Sequence, residues 1–111
     1  MSKAKTIEFE YKGNKYVLEY NRTAIEVMEK EGFDMQEFIK KPAMSINLAF
    51  QGAFIKNHRK IRANEIEEIW NFIKDKEQLS NALVEMIMQT YETLFETEES
   101  EDGKNIEWKM V

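Results

Sequence analysis

From Thr6 to Tyr20 apolar and polar residues alternate: Ile7, Phe9 and Tyr11 enclose Glu8 and Glu10, and Tyr16, Leu18 and Tyr20 enclose Val17 and Glu19. A period of two sends each apolar set to one side of a strand, so residues 6–20 read as a β-hairpin. Between the runs lies Lys12-Gly13-Asn14-Lys15. A two-residue Gly-Asn loop tolerates positive φ at both positions. It pairs Tyr11 with Tyr16, Phe9 with Leu18 and Ile7 with Tyr20, all on one face. A two-stranded hairpin is marginal alone, so its apolar face requires the helices that follow.

Helical spacing takes over near Asn21–Thr23. Thr23 with Glu26 has the spacing of a capping box, and Ala24, Val27 and Met28 form an apolar stripe. Gly32 suits a left-handed position after the helix, with Phe33 folding back on Met28 in a Schellman ending. Asp34 with Glu37 opens a short second helix that buries Phe38 and Ile39 and stops before Pro42. A third helix runs from Ala43 or Ser45 to Asn57. Met44, Leu48, Ala49, Phe50, Ala53, Phe54 and Ile55 leave it apolar over most of its circumference, which marks a central helix. Gly52 inside it costs roughly 1 kcal/mol against Ala, and close packing against another element accounts for its presence. After the polar stretch Lys56–Arg62, Asn64 with Glu67 caps a fourth helix carrying Ile66, Ile69, Trp70 and Ile73. Asp75 with Gln78 caps a fifth, of roughly 20 residues or about 30 Å. Leu79, Leu83, Met86, Ile87, Leu94 and Phe95 form its main face, and Val84, Met88 and Tyr91 a second.

These elements make an α+β, mostly α fold: an N-terminal β-hairpin packed on four to five helices, with residues 6–95 as one globular domain. Residues 96–111 are a separate acidic, flexible tail. Glu96–Asp102 contains no apolar side chain, whereas Ile106-Glu107-Trp108-Lys109-Met110-Val111 alternates again. That last segment suits an edge strand, a partner contact or a free end.

Composition narrows the chemistry. The chain has 111 residues, a length that fits one domain. Its formal net charge is −5, which opposes phosphate-driven nucleic-acid binding. The absence of cysteine removes disulfides, thiolate nucleophiles and Cys-based zinc sites. No run approaches the roughly 18 apolar residues of a membrane helix. The basic start, Met1 to Thr6, leads into alternation rather than an apolar signal region. A soluble cytoplasmic protein is the expectation.

No catalytic, cofactor-binding or metal-binding residues emerge. Gly-rich phosphate loops, GxSxG and HExxH are missing. The single histidine, His58, sits in the basic stretch and reads as a solvated loop residue. Glu65, Glu67 and Glu68 read as acidic residues of a first helical turn, favourable to the helix dipole. Glu96–Asp102 lacks the ligand spacing and glycine of an EF-hand. Lys56–Arg62 lies between helices as a DNA-binding turn would, but it is too long and the next helix begins with three glutamates. The positive signal is apolar. Seven methionines suit adaptable surfaces as well as core filling, and Val84, Met88 and Tyr91 are the candidate partner-binding residues, facing a client or a second copy.

The order of elements resembles the tail assembly chaperones of long-tailed bacteriophages of Gram-positive hosts. The likeness covers residues 6–95. It rests on the hairpin Thr6–Tyr11 and Tyr16–Tyr20, on Asn21–Glu29 ending at Gly32-Phe33, on Ala49-Phe50-Gln51-Gly52-Ala53-Phe54 leading to His58, and on Glu65-Ile66-Glu67-Glu68-Ile69-Trp70. The resemblance implies a non-enzymatic role. Such a protein binds the long, helical, aggregation-prone tape measure protein and keeps it soluble while tail tube subunits polymerise round it. It leaves before the virion is complete. The family often has a longer frameshifted form, and the acidic linker beyond Phe95 suits a junction to one. Two other functions fit the residues: a homo-oligomeric protein-interaction module of phage or prophage origin, and, with less support, a small DNA-binding regulator.

Overall fold

The computed structural model describes residues 5–98 and 100–111. Strands β1 (Ile7–Tyr11) and β2 (Asn14–Leu18) form an antiparallel hairpin. Five helices follow: α1 (Arg22–Lys30), α2 (Met35–Lys40), α3 (Pro42–Gly52), α4 (Ala63–Phe72) and α5 (Lys76–Thr93). The fold is α+β, mostly α.

The hairpin register differs from the expected one by two residues. Ile7 pairs with Leu18, Phe9 with Tyr16 and Tyr11 with Asn14. The loop is Lys12-Gly13, with φ of 51° and 79°, the two positive values a tight hairpin turn of the primed type requires. A shift of two keeps every side chain on its face, so Ile7, Phe9, Tyr11, Tyr16 and Leu18 still meet the core. Tyr20 lies beyond β2 and is buried, its hydroxyl donating to the Ala49 carbonyl at 2.6 Å.

Helix ends show which local signals hold. Asn21, not Thr23, caps α1, accepting from the Ala24 amide at 2.8 Å. The helix closes in the expected Schellman pattern. The Phe33 amide donates to Met28 O at 2.9 Å, the Gly32 amide donates to Glu29 O at 3.0 Å, and Gly32 has φ 101°. Asp34 caps α2 through the Gln36 and Glu37 amides. Pro42 opens α3 at its first position, where its missing N–H is not needed. Arg62 stands at the cap of α4 with no side-chain bond, so Asn64 lies inside the helix. Asp75 precedes α5 in a left-handed conformation and makes no capping bond.

Helix α3 is the centre. It packs against each of the other four helices, and Phe50, Ala49, Ala53 and Phe54 are buried with Leu18, Ile25, Met28, Phe38, Leu83 and Ile87. Each large side chain buried this way contributes about 1.5–3 kcal/mol. Phe54 stands edge-on to Phe9, Tyr16 and Phe50, at centroid distances of 6.5, 6.0 and 5.1 Å. These contacts fasten the hairpin to α3. Gly52 meets Met28: a Cβ at this position would overlap the methionine side chain. The regular helix ends at Gly52 and turns continue to Asn57, so the helix is shorter than its apolar run. Met44 and Ile39, expected inside, are exposed. Helix α5 ends at Thr93, which leaves Phe95 exposed rather than on the apolar face.

Candidate protein-interaction surface

Val84, Met88 and Tyr91 share one stripe of α5, as their i, i+4, i+7 spacing requires. The structure treats them differently. Val84 and Tyr91 are half-buried against the core, while Met88 is exposed. Tyr91 reaches α1, donating to Glu29 Oε2 at 2.7 Å. Burial and the neighbouring Glu29 carboxylate push its phenol up to about 12. Next to Met88 in sequence, Gln89 Oε1 is buried without a hydrogen-bond partner among the described residues. Of the other methionines described, Met28 and Met86 fill the core, Met35 packs half-buried against it, and Met44 and Met110 are exposed.

A second feature lies between α3 and α4, a groove of about 600 Å³. Half-buried Trp70 gives it apolar surface, its ring centroid 5.1 Å from that of Phe50, which lines the groove from the buried core. Asn47 and Gln51 from α3, and Asn64 and Asn71 from α4, surround them with carboxamides. These amides stand at i, i+4 on one helix and i, i+7 on the other, so each pair shares a face. That spacing was the available signal, masked in the sequence by the reading of Trp70 as core and of Asn64 as a cap.

The basic stretch serves the hairpin. His58 is half-buried rather than solvated, 5.1 Å from the Tyr16 ring and 6.2 Å from the Phe54 ring. Its Nε2 accepts the Val17 amide at 2.9 Å, and Asn57 Nδ2 donates to the Val17 carbonyl at 3.1 Å. Asn57 and Lys56 also hold Glu19, at 3.0 and 2.9 Å, and depress its carboxyl below the usual range. Arg59, Lys60 and Arg62 are left exposed. Glu68, read from sequence as a helix-dipole residue, binds Lys12 at 3.0 Å and the Tyr11 hydroxyl at 2.8 Å. Both partners lower its pKa. The hairpin tip is thereby tied to α4.

Residues 1–111 match the family model described as Domain of unknown function (DUF5055). The chain belongs to the DUF5055 family. Comparison with curated proteins and with solved structures gives no match. Among the described residues of this DUF5055 chain, no three His, Asp or Glu side chains converge as a metal site, and no helix is long and apolar enough to cross a membrane.

Proposed function

We propose that this DUF5055 chain is a non-enzymatic tail assembly chaperone of a long-tailed phage. It binds the tape measure protein in the host cytoplasm and holds it soluble while the tail tube grows, without cofactor or metal. The observation that carries this reading is the α3–α4 groove, where an aromatic pair lies among four carboxamides. Helix-in-groove recognition places apolar anchors against such aromatic surface, and carboxamides both donate and accept towards the polar flanks of a client helix. Exposed Met88 on α5 adds an adaptable apolar contact. The reading also rests on the resemblance drawn from the sequence order of hairpin and helices.

Calorimetric titration with helical tape measure fragments tests it. The chain binds a fragment, and Gln51→Lys with Asn64→Lys, both at exposed groove positions, weakens binding at least tenfold, or about 1.4 kcal/mol. Binding unaffected by this pair removes the groove from the account. No binding to any fragment removes the client. A second reading, a self-associating interaction module, is favoured by the exposed apolar residues of 106–111.

A further inference from the structure

The two edges of the hairpin differ. On β2, the outward N–H and C=O of Val17 are taken by His58 and Asn57, and the Glu19 amide donates to Ala53 O at 3.2 Å. Val17 stands opposite Glu8. Because its backbone groups point away from β1, Val17↔Glu8 is a non-hydrogen-bonded pair, and so, two residues on, is Glu10↔Lys15. The N–H and C=O of Glu8 and Glu10 therefore point outward from β1. Among the described residues nothing bonds to them. This is an open strand edge, the kind that accepts another strand.

Beside that edge lies a cleft of about 200 Å³ between β1 and the end of α4, lined by Phe9, Tyr11, Ile69 and Phe72. A cavity of about 150 Å³ holds a benzene ring. Phe72 is exposed and stacked on Tyr11, with centroids 6.4 Å apart.

One segment of the chain has the complementary form. Ile106, Trp108 and Met110 alternate with Glu107 and Lys109, and these apolar residues are 92%, 85% and 91% exposed. A turn precedes them, with Asn105 Nδ2 donating to Glu98 O at 2.7 Å and Ser100 Oγ donating to Lys104 O at 2.7 Å. The radius of gyration is 16.3 Å, against about 13 Å for a compact chain of this length. The segment's own body does not cover it.

We infer that residues 106–111 of a second copy add to the β1 edge as an antiparallel third strand, reciprocally, making a two-fold dimer. Charge selects the register: Lys109 opposite Glu8 would set Glu107 against Glu10, whereas Lys109 opposite Glu10 carries Glu107 past the end of β1 and sets Trp108 beside Tyr11, next to the cleft. Glu8 and Glu10 then form the hydrogen-bonded pairs, and alternate side chains of the added strand face the body. Closed two-fold pairing is the common solution for such self-complementary surfaces.

Light scattering on the full chain reads the mass. The wild type is a dimer. Trp108→Asp and Glu10→Pro each give a monomer with an unchanged far-UV spectrum. Proline at position 10 removes only an outward N–H, which edge strands tolerate. Lys109→Glu likewise gives a monomer, and adding Glu10→Lys restores the dimer, a readout that misfolding does not produce. Mixing the Trp108→Asp and Glu10→Pro chains yields a heterodimer in native mass spectrometry, since each supplies what the other lacks. A wild-type monomer at every concentration, or a dimer that survives Trp108→Asp, overturns the exchange. So does a monomer in which Glu10→Pro shifts Trp108 emission in a Trp70→Phe background, which assigns the edge to the chain's own segment.

Discussion

His58 Nε2 accepts the amide hydrogen of Val17 at 2.9 Å, across forty-one positions of sequence. A neutral ring that accepts at Nε2 carries its proton on Nδ1. With Asn57 it substitutes two side chains for a neighbouring strand and closes the β2 edge. His58→Ala leaves a part-buried amide unpaired and removes a ring from the Tyr16 and Phe54 contacts. The expected loss is about 1–3 kcal/mol, read as a lower urea midpoint at unchanged m-value. An unchanged midpoint refutes the role.

Gly52 sits where a Cβ would overlap Met28. Alanine raises helix propensity by about 1 kcal/mol, but overpacking typically costs about 1–3 kcal/mol. Gly52→Ala is therefore expected to destabilise, and a cycle with Met28→Ala to show coupling of at least about 0.5 kcal/mol. Additive effects mean that Met28 moves aside freely.

How much of this was legible in the sequence depended on the range of the determining contact. The face of the hairpin was, because period two survives a register shift of two. The register was not, because a positive φ at Lys12 is an uncommon choice that tertiary bonds from Lys12 and Tyr11 to Glu68 reinforce. The ending of α1 at Gly32-Phe33 was, since a Schellman motif is local. The capping boxes at Thr23, Asn64 and Asp75 were not realised: Asn21 won locally, and α4 and α5 start without side-chain caps. The part played by His58 lay in a contact forty-one residues away. In the candidate surface, helical spacing puts Val84, Met88 and Tyr91 on one stripe of α5, but the half-burial of Val84 and Tyr91 against the core and the bond of Tyr91 to Glu29 depend on contacts with other elements that spacing does not reveal.

Acid sensitivity follows from Glu19. Hydrogen bonds from Asn57 and Lys56 hold its folded pKa below the ordinary 4.5. The sign is that of a depressed carboxyl: its stabilisation is present above 4.5 and is lost as pH falls through the lower folded value. Glu19→Gln is expected to flatten the fall of stability with pH below 4.5, measured by urea unfolding across that range. An equally steep fall in the variant assigns the acid dependence elsewhere.

Along α5, the open and closed positions separate. Met88→Asp changes an exposed residue and is expected to leave folding within about 0.5 kcal/mol while weakening client binding. Tyr91→Phe loses the Glu29 bond and is expected to change stability by about 1 kcal/mol with binding retained. Calorimetric binding beside thermal melts distinguishes the two. The reverse pattern would place the contact at Tyr91.

The claim that this chain keeps a tape measure protein soluble is tested most directly by co-expression with overlapping tape measure fragments from the same genome. The account predicts that at least one fragment, insoluble when expressed alone, stays soluble and co-elutes with the chain in size-exclusion chromatography, and that Gln51→Lys with Asn64→Lys abolishes the rescue. If every fragment remains insoluble and the chain elutes without one, the chaperone assignment is wrong.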